Sequence, residues 1–252
     1  MQDIEISKLL LLMGVGVVAG VLNILAGGGS LLTMPVLIFL GLPAAMANGT
    51  NRIAIFFQNI VAVGSFRQKG RLPLRLALLC TPSALLGSLL RARLAVNIDD
   101  TLFKQLLAGV MIMVVIMMIV DPAKKLQLKV QELTRTRSTA LVVSFFFIGI
   151  YGGFIQAGVG FLIITALLFH GLDLVRINAV KVFVVLCFTV VALAVFISHG
   201  QVNYVFGLAL AAGNSLGGWL GTRLAVAKGH DFIRKFVIVV VVLFAVRLLW
   251  GG

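Results

Sequence analysis

Ala26-Gly27-Gly28-Gly29-Ser30, followed by the apolar run 31–41, is the stretch on which the fold turns. The apolar segment 30–41 holds only about a dozen residues. As a helix it covers about 18 Å at 1.5 Å per residue, too short for a hydrocarbon core about 30 Å thick. The segment before it, 8–26, is long enough to span. Glycine permits a tight reversal and a close backbone approach. The stretch therefore predicts a spanning or broken helix that turns at a Gly-rich tip into a half-helix.

The same pattern recurs at Gln156-Ala157-Gly158-Val159-Gly160, which leads into the short apolar segment 160–171. The two stretches belong to a repeat, found by adding 130 to a residue number. Gly28 then meets Gly158, Gly41 meets Gly171, Asn48 meets Asn178, Gly70 meets Gly200, Gly87 meets Gly217 and Arg93 meets Arg223. The Gly, Asn and Arg pairs carry the comparison, since matches between Leu-rich segments arise by chance. Each half reads as five apolar segments, 8–26, 30–41, 48–66, 73–91 and 102–120, then 139–156, 160–171, 176–198, 203–222 and 231–250. Residues 1–120 and 139–252 form the two repeats, and the polar stretch 121–138 is the linker.

Composition sets the solvent. Of the 252 residues 61% are hydrophobic, against about 45–50% in soluble domains. The fold class is an all-α polytopic membrane protein. Runs such as 110–120 and 182–197 do not alternate as barrel strands do. Asp3 and Glu5 precede the first apolar segment where a secretory signal carries bases, so that segment is expected to stay. The net charge is +13, but the bases lie in short connections and leave no domain with a nucleic-acid footprint. Cys80 and Cys187 lie in apolar runs, with no disulfide framework and no metal-ligand spacing. No cofactor is expected.

Charge also orients the chain. The loop 67–75, the linker and the loop 228–235 are net basic, which places them in the cytoplasm. The acidic N-terminus and the uncharged turn 199–203 are placed outside. These placements agree only if each broken-helix pair enters and returns on one side and three helices then cross. The halves are thereby two inverted-topology repeats, and both chain termini are periplasmic. Secondary transporters commonly have this construction.

The chemistry follows the same plan. All eight acidic residues fall at termini, in loops or at segment ends, so no carboxylate sits deep in a span. The deep ionisable residues are Arg52 and Lys181. Either could snorkel to the interface. Asn48, Asn51, Arg52, Ile55 and Asn59, however, lie on one helical stripe, matched by Asn178, Lys181, Val185 and Thr189. Amides facing lipid would be unsatisfied, so the stripes face protein or a water-filled cavity; interhelical hydrogen bonding alone is the plainer alternative. The half-helices direct free N–H groups and positive dipole ends at the tips, which is an anion site in form. Candidate substrate-binding residues are Gly28, Gly29, Ser30, Leu31, Asn48, Asn51, Arg52, Asn59, Gln156, Gly158, Gly160, Asn178 and Lys181. No enzyme motif is present, since His170, His199 and His230 stand apart with no partner motif.

Ala26–Pro35, Tyr151–Gly160 and Asp173–Lys181 together resemble the sulfite exporter TauE/SafE family of bacterial membrane transporters, over nearly the whole chain. The resemblance implies an inner-membrane carrier, exporting a small sulfur-containing anion such as sulfite or an organosulfonate, or a related organic anion. The second tip departs from the first, with Val159, Gly160 and Thr165 where the first has Gly29, Ser30 and Pro35. The expected function is secondary transport or facilitated passage of a small anion by alternating access. An anion-selective channel built from the same residues is the alternative. The expected partners are the small anion and the lipid bilayer; assembly into a homo-oligomer is left open.

Overall fold

The computed structural model describes residues 6–120, 134–169, 173–227, 242 and 246–248. Among them the secondary structure is helical throughout. The helices are α1 (Ile6–Ala26), α2 (Ser30–Phe39), α3 (Ala44–Gln68), α4 (Leu74–Ala95) and α5 (Asp100–Val120), then α6 (Arg135–Phe154), α7 (Val159–Leu168), α8 (Leu174–Ser198) and α9 (Tyr204–Ala227). Most of the predicted segment 231–250 and most of the linker lie outside the described residues. The helix α6 starts at Arg135, about one turn before the apolar segment expected from 139.

Lengths separate the helices into two kinds. Five of them, α1, α4, α5, α6 and α8, are long and apolar enough to cross a membrane. The half-helices α2 and α7 have 10 residues each, which cover about 15 Å, half a hydrocarbon core. At 25 residues, α3 is long enough to span, but its polar stripe lowers its hydropathy. Leu10, Leu86, Leu90, Ile116 and Phe147 are exposed on the outer surface, as a lipid solvent requires.

The helix pairings are exchanged between the halves. The first helix of one half packs on the fourth of the other, α1 on α9 and α6 on α4. Helices in lipid gain little from burying apolar area and associate instead through close van der Waals contact at small residues. Gly16 and Gly20 of α1 lie against the backbone of Leu210 and Asn214, and Gly213 and Gly217 of α9 lie against Met13 and Val17. The α4–α6 contact is built the same way, with Gly87 against Phe146 and Gly149 and Gly153 against Ala84 and Ser88.

The short helices are wrapped rather than lipid-exposed. Leu31, Leu32 and Met34 of α2 share a core with Ala19 and Leu22 of α1 and Phe103, Leu107 and Met111 of α5. Ile163 and Leu167 of α7 share another with Phe145, Ile148, Val180 and Val184. An aspartate accepts from the first N–H groups of each third helix. Asp173 Oδ1 accepts from Val175 N and Arg176 N at 3.1 and 3.0 Å. At α3 the N-cap position is Pro43, which has no acceptor side chain, and Asp100 of α5 accepts from Ala44 N instead.

Candidate functional site

The turns after α1 and α6 bring the two Gly-rich tips into contact. Gly27 ends α1 at φ +80°, and its N–H bonds Leu22 O and Asn23 O. Gly158 precedes α7 at φ +72°. Both conformations favour glycine, because a Cβ is strained there. A Cβ on Gly160 would stand 2.4 Å from Gly27 Cα, so the tips meet backbone to backbone.

Arg52 and Lys181 hold the ends of the helices that lead into these tips, and they do so crosswise. Arg52 Nη1 and Nη2 donate to Gly152 O and Gly153 O at 3.1 and 2.8 Å, and Asn48 Nδ2 donates to Phe154 O at 2.8 Å. The last carbonyls of α6 are thus capped from α3. Lys181 Nζ donates to Asn23 O and Ile24 O at 2.7 and 2.9 Å, and to Asn178 Oδ1 at 2.7 Å. The last carbonyls of α1 are capped from α8. Arg52 and Lys181 are 0% and 2% exposed, so neither snorkels. Three acceptors around Lys181 Nζ use all three protons of an ammonium. The Arg52 guanidinium also lies 4.8 Å from the Phe196 ring centre, within cation–π range.

These contacts settle the electrostatics of the junction. Two helix N-termini and two C-termini converge there, each worth roughly half a charge, and they cancel. The two buried bases, Arg52 and Lys181, then leave the junction with an excess of positive charge. Among the described residues Asp99, Asp100 and Asp173 all lie at helix ends, and the ion pairs Lys104–Asp100 and Arg176–Asp173 are peripheral. Among the described residues no carboxylate offsets the charge at the tips.

A small cavity opens between the tips, with room for about one water molecule. Its polar lining is Asn23, Ser30, Asn59, Gln156, Gly160 and Lys181, and Ile55, Val182 and Val185 supply an aliphatic wall. Both amide atoms of Asn59 and Oε1 of Gln156 are buried without a partner. Gln156 Nε2 donates to Thr189 Oγ1 at 2.6 Å. Among the described residues the backbone N–H groups of Gly28, Gly29, Ser30 and Gly160 also carry no hydrogen bond. Buried polar groups without partners are expensive, and those of Ser30, Asn59, Gln156 and Gly160 line the cavity beside Lys181.

Five of the sequence-predicted residues, Ser30, Asn59, Gln156, Gly160 and Lys181, line this cavity. Asn51 stands one step behind it, donating to Ser30 Oγ at 3.1 Å and accepting from Thr33 Oγ1 at 2.6 Å. Asn178 supports Lys181, while Asn48 and Arg52 are committed to the end of α6. Gly28 packs on Phe161, Gly29 on Ala19, Gly158 on Val114, and Leu31 belongs to the apolar core. The structure adds Asn23, which lines the cavity, and Thr33, which donates to Asn51 behind it; Thr189, on the predicted stripe of α8, accepts from Gln156. Asn23 was visible as the one amide in the apolar segment 8–26. Nothing in sequence marked Thr33.

Broken helices wrapped by long apolar ones around a positive, polar junction define a multi-pass α-helical membrane protein of the transporter type. The chain belongs to the sulfite exporter TauE/SafE family, whose profile matches residues 12–248, as the motifs around both tips imply. It is 28% identical to a probable membrane transporter protein of Haemophilus influenzae, over 99% of this chain and 97% of that one. It is also 28% identical to the probable membrane transporter protein ORF9 of a Sinorhizobium species, over 99% and 95% of the two chains. Identity to the probable membrane transporter protein YfcA of Escherichia coli K12 is 27%, over 98% and 92%. No solved structure matches the chain. The protein is a membrane transporter.

Proposed function

We propose that the chain carries a small oxyanion-headed solute, sulfite or an organosulfonate or a related organic anion, outward across the inner membrane. The observation that supports this most is the buried excess of positive charge at the tip junction, with unpaired amide and backbone donors and, among the described residues, no carboxylate. A cationic solute would be repelled there, and a neutral one would leave the charge uncompensated. In this reading the Ser30 hydroxyl, Asn59 Nδ2 and the N–H groups at the tips donate to the anion, while Lys181 reaches it by giving up one of its three acceptors and Gln156 by turning its amide away from Thr189. Arg52, bound to the end of α6, supplies field without contact.

The cycle is alternating access between two inverted halves, with the junction near the bilayer midplane. The cavity, with room for about one water molecule, corresponds to a closed state that must widen to admit an oxyanion. The test is a thermal-shift series on purified protein with sulfite, an alkyl sulfonate, chloride and a quaternary ammonium salt. Specific binding raises the melting temperature by mass action. Stabilisation by the sulfur oxyanions, lost in Lys181→Met, is the expected result. Equal stabilisation by every anion, in wild type and variant alike, would overturn the substrate class. Exchange-stimulated uptake in liposomes separates the transporter from the channel, which passes the anion without exchange.

A further inference from the structure

A second group of buried amides adjoins the cavity. Asn23 Nδ2 and Asn214 Nδ2 both donate to Gln58 Oε1 at 3.2 Å, and Gln58 Nε2 donates to Gly20 O at 3.3 Å. Gln58 and Asn214 are buried, and Asn214 Oδ1 has no partner. The three amides join α1, α3 and α9 at one level, and Asn23 is shared with the cavity lining. Further along the α3–α9 contact, the Ser65 and Thr222 hydroxyls are 2.8 Å apart, and Lys69 Nζ donates to Thr222 O at 3.3 Å. Lys69 itself is exposed. The helix rises about 16 Å from Gln58 to Lys69, half the thickness of a hydrocarbon core. A polar seam thus runs from the tips to one end of the bundle.

The other half has no such seam. At the offset of 130, the counterparts of Asn23, Gln58 and Asn214 are Gly153, Phe188 and Ala84. The counterparts of Ser65 and Thr222 are Val195 and Ala92. The polar side chains in that interface serve the backbone, with Ser88 Oγ donating to Phe188 O and Thr81 Oγ1 to Ala77 O. Holding the helices together does not require amides, since the counterpart interface does it with Gly87, Gly149 and Gly153. An unpaired Asn214 oxygen in that setting is a cost without a packing return.

We infer that the anion moves between the cavity and the end of the bundle bearing Lys69 along the α1–α3–α9 seam. Asn23, Gln58 and Asn214 are its transient donors, and Lys69 stands at the mouth. The identity of the anion rests on the proposed function; the route does not. Neutral amides suit a conducting path because they bind an oxyanion weakly enough to release it. In the closed state they bond one another and shut the seam. Opening it needs only the exchange of amide–amide bonds for bonds to anion and water.

The route is tested by thiol accessibility in membranes, in a background without Cys80 and Cys187. A small sulfonate-bearing methanethiosulfonate is applied to the Gln58→Cys, Ser65→Cys and Phe188→Cys variants. Gln58→Cys and Ser65→Cys should react at least about tenfold faster than Phe188→Cys, the ratio that ~1.4 kcal/mol of opening free energy gives. An alkyl sulfonate, which is inert toward the reagent, should slow the reaction at Gln58→Cys. Ser65→Cys, a near-isosteric change at a half-buried position, keeps the test intact if Gln58→Cys does not fold. No reaction at Ser65→Cys and at any folded Gln58→Cys, or equal reaction at Phe188→Cys, would overturn the route. Fast reaction without protection by the alkyl sulfonate would uphold the route and remove sulfonates as its cargo.

Discussion

At the residue scale, Arg52 and Lys181 look alike in sequence and differ in place. Lys181 lines the cavity, whereas Arg52 lies behind it with two N–H groups on Gly152 O and Gly153 O. Removing Lys181 takes away a charged hydrogen bond worth about 1.5–3 kcal/mol. Lys181→Met should therefore weaken sulfite binding by about 10- to 150-fold in a titration of purified protein. Unchanged affinity would show that the ammonium only caps α1. Arg52→Lys keeps the charge but loses the fork that reaches two carbonyls. It should lower the melting temperature while leaving sulfite affinity within a few-fold; a large loss of affinity at normal stability would move Arg52 into the site. Asp173 acts locally, as the N-cap of α8. Asp173→Ala should cost about 1 kcal/mol in thermal unfolding, with flux per folded protein unchanged.

At the element scale, the half-helices work because their tips touch. A methyl group on Gly160 would press on Gly27 Cα at 2.4 Å and on Gly27 O at 2.5 Å, and backbone has nowhere to yield cheaply. Gly160→Ala should destabilise by about 1–3 kcal/mol, as overpacking does, and should abolish transport by parting the tips. Near-normal flux with normal stability would mean that the tips are not held in register. Much of this element was legible in sequence. The short lengths of α2 and α7, the Gly-rich turns and the burial of Arg52 and Lys181 all follow from spacing and hydropathy. The crossed capping was not legible. Lys181 finds its carbonyls on Asn23 and Ile24, far away in the chain, and helix carbonyls carry no side-chain signature. The single stripe read on α3 in fact points three ways, with Asn48 and Arg52 toward α6, Asn51 toward α2 and Asn59 into the cavity. A helical wheel gives a face, but not the several partners that meet it.

At the scale of the whole molecule, the offset of 130 predicts two halves, and the exchanged pairings α1–α9 and α4–α6 are symmetric under that offset. Inversion across the membrane makes a separate prediction. In a background without Cys80 and Cys187, Arg71→Cys and His199→Cys, both at exposed positions, should label from opposite faces of the membrane. Labelling from one face would remove the inverted relation and with it the midplane position of the tips. The central claim is that an anion neutralises the tip junction, and one measurement reaches it directly. Selenite has the shape and charge of sulfite, and its heavy atom can be located by anomalous scattering in a crystal of the protein. The account predicts a peak between Ser30 and Gly160, within hydrogen-bonding reach of Asn59 and Lys181. A peak held only by Arg67, Arg71 or Arg75, with the junction between Gly27 and Gly160 packed dry, would contradict it.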